Sequence, residues 1–157
     1  MRQYDFRATL LVLIAIACFS CSSNSQKTTP QTYTGNPVVD LKDANQLLAK
    51  QRCTEAVAAY EKFLQKFPKD AGAWNLQGLA LLCDQKPDLA VNSFKQSLAL
   101  APTFTDVHNN LGVAYVSLKN YAAAETEFQT ALADSNYPAA GPYFNLARIY
   151  YLKGNYE

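Results

Sequence analysis

The stretch TDVHNNLGVAYVSLKNYAAAETEFQTALADSNYP, Thr105 to Pro138, decides the architecture, because its small and aromatic landmarks recur upstream at a fixed interval. If units open at Pro37, Ala71 and Thr105, the eighth position reads Ala44, Gly78 and Gly112, and the twentieth reads Ala56, Ala90 and Ala124. The twenty-fourth reads Tyr60, Phe94 and Phe128, and the thirty-second reads Pro68 and Pro102, so the period is 34 residues. A fourth unit opens at Ala140 after a one-residue insertion and places Tyr143, Leu146, Ala147 and Tyr150 at its fourth, seventh, eighth and eleventh positions. A period of this length marks a stack of identical supersecondary units rather than a single closed core. Each unit reads as a pair of antiparallel helices, with the eighth and twentieth positions facing each other at the closest approach and the aromatic filling the space beside them. Leu98, Leu100 and Leu132 supply helical apolar spacing, while Asp70, Pro87, Thr105 and Asn136 punctuate. The predicted helices cover about 39–51, 54–67, 71–84, 87–100, 105–118, 121–134 and 140–153, and no strand is expected.

Trp74 with Gly78, Leu111-Gly112 with Tyr115, and then Ala124, Phe128 and Ala131 resemble the signature of the tetratricopeptide-repeat (TPR) family. The resemblance spans residues 37–157, with repeats at 37–70, 71–104, 105–139 and a partial one at 140–157. It implies an all-α, right-handed solenoid of stacked helix pairs, in which no pair buries its faces alone. The first helices would line a concave surface. The chain stops at Asn155-Tyr156-Glu157, where an eighth helix should begin. An apolar face carrying Tyr143, Tyr150 and Tyr151 is therefore expected to be bare, either because the sequence is a piece of a longer protein or because that face is a docking site.

Composition narrows the function. The 157 residues are 49% apolar and 17% charged, an ordinary globular balance with room for one modest domain. Setting aside Arg2, Asp5 and Arg7 leaves twelve basic and twelve acidic residues, and a neutral body argues against a nucleic-acid partner, which needs a concentrated basic face.

Residues 1–21 read as an export leader: Arg2 and Arg7, the apolar run Ala8 to Ala17, and then cysteines. The run ends at Phe19, short of the roughly 20 apolar residues that span a bilayer. Its end resembles a bacterial lipobox, in which a cysteine is acylated, palmitate being the expected chain, and becomes the mature N-terminus. Cys18 follows Ala15-Ile16-Ala17, and Cys21 is the alternative, since it would begin the mature chain with Cys-Ser-Ser-Asn. An ordinary signal peptide cut nearby is the plainer reading. Neither cysteine is followed by Asp, which in proteobacterial lipoproteins implies sorting to the outer membrane. Residues 22–36 are mostly Ser, Thr, Gln, Asn, Lys, Gly and Pro and read as a disordered polar tether. Extended, it reaches roughly 50 Å at about 3.3 Å per residue.

No constellation calls for catalysis, a metal, a cofactor or a small-molecule substrate. His108 has no second histidine or carboxylate cluster in its sequence neighbourhood and is expected to pack in the core, where Trp74 and Tyr143 stand in their repeats. Cys53 and Cys83 fall at the turns of adjacent repeats and could pair in an oxidising compartment, or remain two small buried thiols. The inward face carries Asn75, Asn109, Asn110 and Asn145 among Leu79, Val113, Val116, Phe144, Arg148 and Tyr151. Asparagine donates and accepts at once, so this ladder suits an extended peptide partner, the plainer reading being asparagine tolerated on an exposed face. The carboxylate clamp of chaperone-binding relatives is missing: Leu41, Leu76, Asp106 and Asn110 hold its places. Lipobox, tether and repeats together are similar to the pilotins, lipoproteins of type IV pilus biogenesis. The Asn109-Asn110-Leu111-Gly112 segment and the Asn136-Tyr137-Pro138 insertion look like that family's corresponding repeat and junction. The resemblance implies an outer-membrane secretin as partner, whose localisation and assembly the protein supports. A scaffold for another envelope assembly is the alternative.

Overall fold

The computed structural model describes residues 37–154. Among them are seven helices: α1 (Pro37–Ala49), α2 (Cys53–Lys66), α3 (Ala71–Cys83), α4 (Pro87–Leu100), α5 (Thr105–Ser117), α6 (Tyr121–Ala133) and α7 (Ala140–Leu152). The described residues contain no strand, as the period requires. The leader with Cys18 and Cys21, the tether at 22–36 and residues 155–157 lie outside the described residues. No described helix is long and apolar enough to cross a membrane.

Helices pack as the pairs α1/α2, α3/α4 and α5/α6, and each second helix also packs on the first helix of the next pair. First helices of neighbouring repeats touch one another, whereas no comparably close contact joins neighbouring second helices. The stack therefore curves toward α1, α3, α5 and α7, which line its inner face.

The first helices end one or two residues earlier than the period predicts, and the cause is a turn with no sequence punctuation. Gln51, Gln85 and Lys119 have φ of 56°, 58° and 59°, a left-handed conformation normally left to glycine. At each, paired backbone bonds close the helix: Gln51 N–H donates to Leu48 O and Arg52 N–H to Leu47 O, at 2.9 Å each, and the pattern recurs at Gln85/Lys86 and Lys119/Asn120. This is the Schellman motif, which satisfies the last helical carbonyls. Gly154, φ 74°, is the residue at this place in the fourth repeat. Two of the second helices start with more conventional devices, Pro87 in the first turn of α4 and the Asn120 side chain accepting from Ala123 N–H at the start of α6.

Tyr60, Phe94 and Phe128 are the largest fully buried side chains, each in the cleft of its own helix pair. The glycines lie directly under these rings. A Cβ on Gly78 would strike the Phe94 ring, and one on Gly112 would lie 2.5 Å from the Phe128 ring. The aromatic at twenty-four thus leaves no room for a side chain at either glycine of position eight. The first repeat has Ala44 at position eight and Tyr60 as its aromatic, with the Tyr60 O–H donating to Asn45 Oδ1 at 2.6 Å. Burial pushes the Tyr60 phenol well above its ordinary pKa.

At the inserted junction, Asp134 gathers the chain: its Oδ2 accepts from Thr105 Oγ1 at 2.8 Å and its Oδ1 from Asn136 N–H at 3.0 Å. These bonds hold the Asp134 carboxyl below the usual carboxylate range, Thr105 having the larger influence.

Candidate functional site: the concave face

Positions five and six of the first helices form the contact between neighbouring repeats on the inner face. Asn110 Nδ2 donates to Asn75 Oδ1 at 3.0 Å, linking α5 to α3, and Asn145 Nδ2 donates to Asn109 Oδ1 at 3.4 Å, linking α7 to α5. The partners stand 35 and 36 residues apart, one period plus one and, across the insertion, plus two. Asn75 and Asn145 are buried, 8% and 5% exposed, while Asn109 and Asn110 are half-buried. The four asparagines therefore do not form one open ladder, as the sequence suggested. Two belong to the repeat junctions, and the two on α5 face both the junction and the groove. Each α5 amide spends one atom on the cross-repeat bond, which leaves Asn109 Nδ2 and Asn110 Oδ1 unpaired among the described residues. At the first junction the same places hold Leu41 and Leu76, both packed on the main apolar cluster.

One helical turn further along the inner face lie Leu79, Val113 and Arg148, all half-buried. Val116, a further turn on, is buried, whereas Phe144 and Tyr151 on α7 are 57% and 63% exposed. Ala147 and Tyr150 occupy places that a second helix covers in the earlier repeats, and here they are exposed together with Tyr143 and Leu152.

His108 departs from expectation. It is half-buried rather than a core residue, and its Nδ1 lies 2.7 Å from Glu127 Oε2 on α6. Sequence reading missed this carboxylate because it is 19 residues away, on the facing helix of the same pair. In the second repeat the residue matching Glu127 is Ser93, whose Oγ donates to buried Gln77 Oε1 at 2.8 Å. A polar link between the two helices at this level is therefore a feature of both repeats, and only its chemistry differs.

Cys53 and Cys83 are joined as a disulfide, with Cα atoms 5.6 Å apart. Cys53 is half-buried and Cys83 exposed, unlike the buried thiols of the plainer reading. Beside the bridge, Thr54 Oγ1 donates to Asp84 Oδ1 at 2.6 Å, and Lys86 pairs with Asp84 Oδ2 at 2.8 Å. Lys86 and then Thr54 hold the Asp84 carboxyl below the ordinary range.

Comparison with known proteins agrees with this architecture. Profiles described as tetratricopeptide repeat match residues 41–103 and 81–140. The peroxisomal targeting signal receptor of Candida albicans is 27% identical over 85 residues, which is 54% of this chain and 14% of that protein. SPINDLY of Arabidopsis thaliana, a probable UDP-N-acetylglucosamine–peptide N-acetylglucosaminyltransferase, is 31% identical over 99 residues, 62% of this chain and 11% of that protein. The chain thus spans only a small part of either curated relative. Among solved structures, the first TPR of Spaghetti (RPAP3) bound to the HSP90 peptide SRMEEVD superposes with a TM-score of 0.69 at 18% identity, covering 75% of this chain and 93% of that one. A MamA RS-1 double mutant gives 0.60 at 22% identity, covering 64% and 60%. At such identities the likeness is one of fold. Matched profiles running from residue 41 to 140, on helix pairs that stack with the same period, have one source: the chain belongs to the tetratricopeptide-repeat family of protein–protein interaction modules.

Proposed function

We propose that the protein is a lipid-anchored envelope module whose concave face holds an extended segment of a protein partner, and that this partner is the outer-membrane secretin of a type IV pilus. The observation that carries the groove reading is the pair of half-buried amides on α5. Asn109 offers a donor and Asn110 an acceptor, which is the complement of a passing peptide unit. Leu79 and Val113 beside them provide apolar footing for side chains. Backbone pairing supplies affinity with little sequence demand, and the pockets add selectivity. Structures of similar fold hold HSP90 and HSP70 peptides, which favours a peptide occupant, while Leu41, Leu76, Asp106 and Asn110 remove the clamp needed for an acidic chaperone tail.

The envelope part of the proposal rests on sequence. Acylation at Cys18, or at Cys21, followed by the tether at 22–36, would hold the domain at the periplasmic face of the outer membrane, where secretin subunits arrive and assemble. No chemistry is required of the module: it raises the local concentration of a bound segment and keeps it from wrong contacts. The test is an immunoblot for heat-stable secretin multimers in membranes of cells lacking the gene. Loss of multimers with accumulation of monomers is expected; unchanged multimers and normal pili would remove the secretin assignment in favour of a scaffold for another envelope assembly.

A further inference from the structure

Building on the concave-face reading, the geometry points to the form of the segment bound there: a polyproline-II stretch of the pattern apolar-x-x-apolar-x-x-acidic, in either chain direction, whose carboxylate is taken by Arg148. Three observations carry this.

The first is the spacing of the groove floor. Leu79, Val113 and Arg148 occupy position nine of α3, α5 and α7, so a segment crossing the groove meets one of them per repeat. Packed helices stand about 8–10 Å apart. A polyproline-II chain advances about 9.3 Å every three residues and returns its side chains to one face with that period. A β-strand alternates faces every residue, so with i and i+6 on the floor its i+3 side chain would turn away. Side chains at i, i+3 and i+6 of a polyproline-II segment therefore fall on Leu79, Val113 and Arg148 in turn.

The second is charge. Arg148 is half-buried, yet it has no ion-pair or hydrogen-bond partner among the described residues, whereas Arg52, Lys86, His108 and Lys153 all pair with carboxylates. Asp106, the acidic residue on the inner face of α5, lies two helical turns from Val113, about 10 Å along the axis at 1.5 Å per residue. A guanidinium held at a groove wall without a counter-charge is complementary to a carboxylate brought by the occupant, and its planar fork suits that group.

The third is the pair of amides on α5, one helical turn from Val113. A polyproline-II backbone makes no internal hydrogen bonds, so its carbonyls, and the N–H groups of its non-proline residues, are available to Asn109 Nδ2 and Asn110 Oδ1.

The test is fluorescence anisotropy of the full chain in detergent with the labelled heptapeptides Leu-Pro-Pro-Leu-Pro-Pro-Glu and Glu-Pro-Pro-Leu-Pro-Pro-Leu, each beside its Glu-to-Gln analogue. One Glu peptide is expected to bind about fivefold more tightly than its Gln analogue. Arg148→Gln should erase that preference, and Arg148→Lys should restore part of it. Equal binding of Glu and Gln peptides, a preference that survives Arg148→Gln, or no binding of any heptapeptide overturns the inference. The secretin reading is decided separately by the multimer immunoblot, so the two can fail independently.

Discussion

The first repeat junction and the two that follow place the same positions in contact but hold them by different means. Between repeats one and two, Leu41 and Leu76 pack on a shared apolar cluster, and the turns within the two repeats are tied together by the Cys53–Cys83 disulfide, with Thr54 bonded to Asp84 beside it. Between repeats two and three the cysteine places hold Pro87 and Ser117, and the inner contact is the Asn75–Asn110 amide pair. Apolar contact stabilises without demanding an angle, and the bridge adds a covalent constraint on the unfolded chain. An amide pair contributes less, but it is directional, and it leaves the partner amides on α5 turned to the groove. The firm end of the solenoid is thus the one with little for a ligand to read, and the polar end, where Arg148 also lies, has the groove chemistry.

Removing the bridge should have the largest effect. Cys53→Ala with Cys83→Ala opens a loop of 30 residues, and the chain-entropy relation gives a loss of about 3–4 kcal/mol, read as a lower denaturant midpoint under non-reducing conditions. If the doubly substituted chain melts with the wild type, the first junction owes its firmness to apolar packing alone. Next in size is Gly112→Ala, which sets a methyl group 2.5 Å from the Phe128 ring and should cost about 1–3 kcal/mol by thermal melting. The asparagines test the comparison most directly. Asn110→Leu strands the buried Asn75 carbonyl and should cost about 1–3 kcal/mol, while adding Asn75→Leu, which copies the Leu41–Leu76 pairing, should recover most of that loss. Additive single effects in a double-mutant cycle would mean that the amide pair does not couple the repeats. Smallest is Lys119→Gly, which relieves a left-handed residue at φ 59° and should raise stability by about 0.5–1 kcal/mol in the same melt.

Most of the fold was legible because each landmark has a local cause that recurs. A small residue at position eight, an aromatic at twenty-four and a proline near the end of a unit can each be recognised without knowing what they touch, and their shared period supplied the pairing. The helix ends were less legible, since Gln51, Gln85 and Lys119 carry no turn signal: their left-handed conformation is imposed by the packing of the two helices they join. The concave face was half legible. Asparagines could be counted on the inner side, but their burial could not, because whether Asn75 faces a peptide or Asn110 depends on how far neighbouring repeats rotate. His108 shows the same limit, for its partner Glu127 comes from the facing helix.

By itself, the sequence determined the all-α class, the number and order of helices in the repeats, and the positions that must stay small, since these follow from periodicity within one chain segment. The tertiary structure decided what keeps those positions small, which amides are spent on junctions, which charge is left for a ligand, and that the two cysteines meet. Such properties depend on the distance and rotation between repeats, and these are set by side-chain packing across interfaces rather than by any local run of residues.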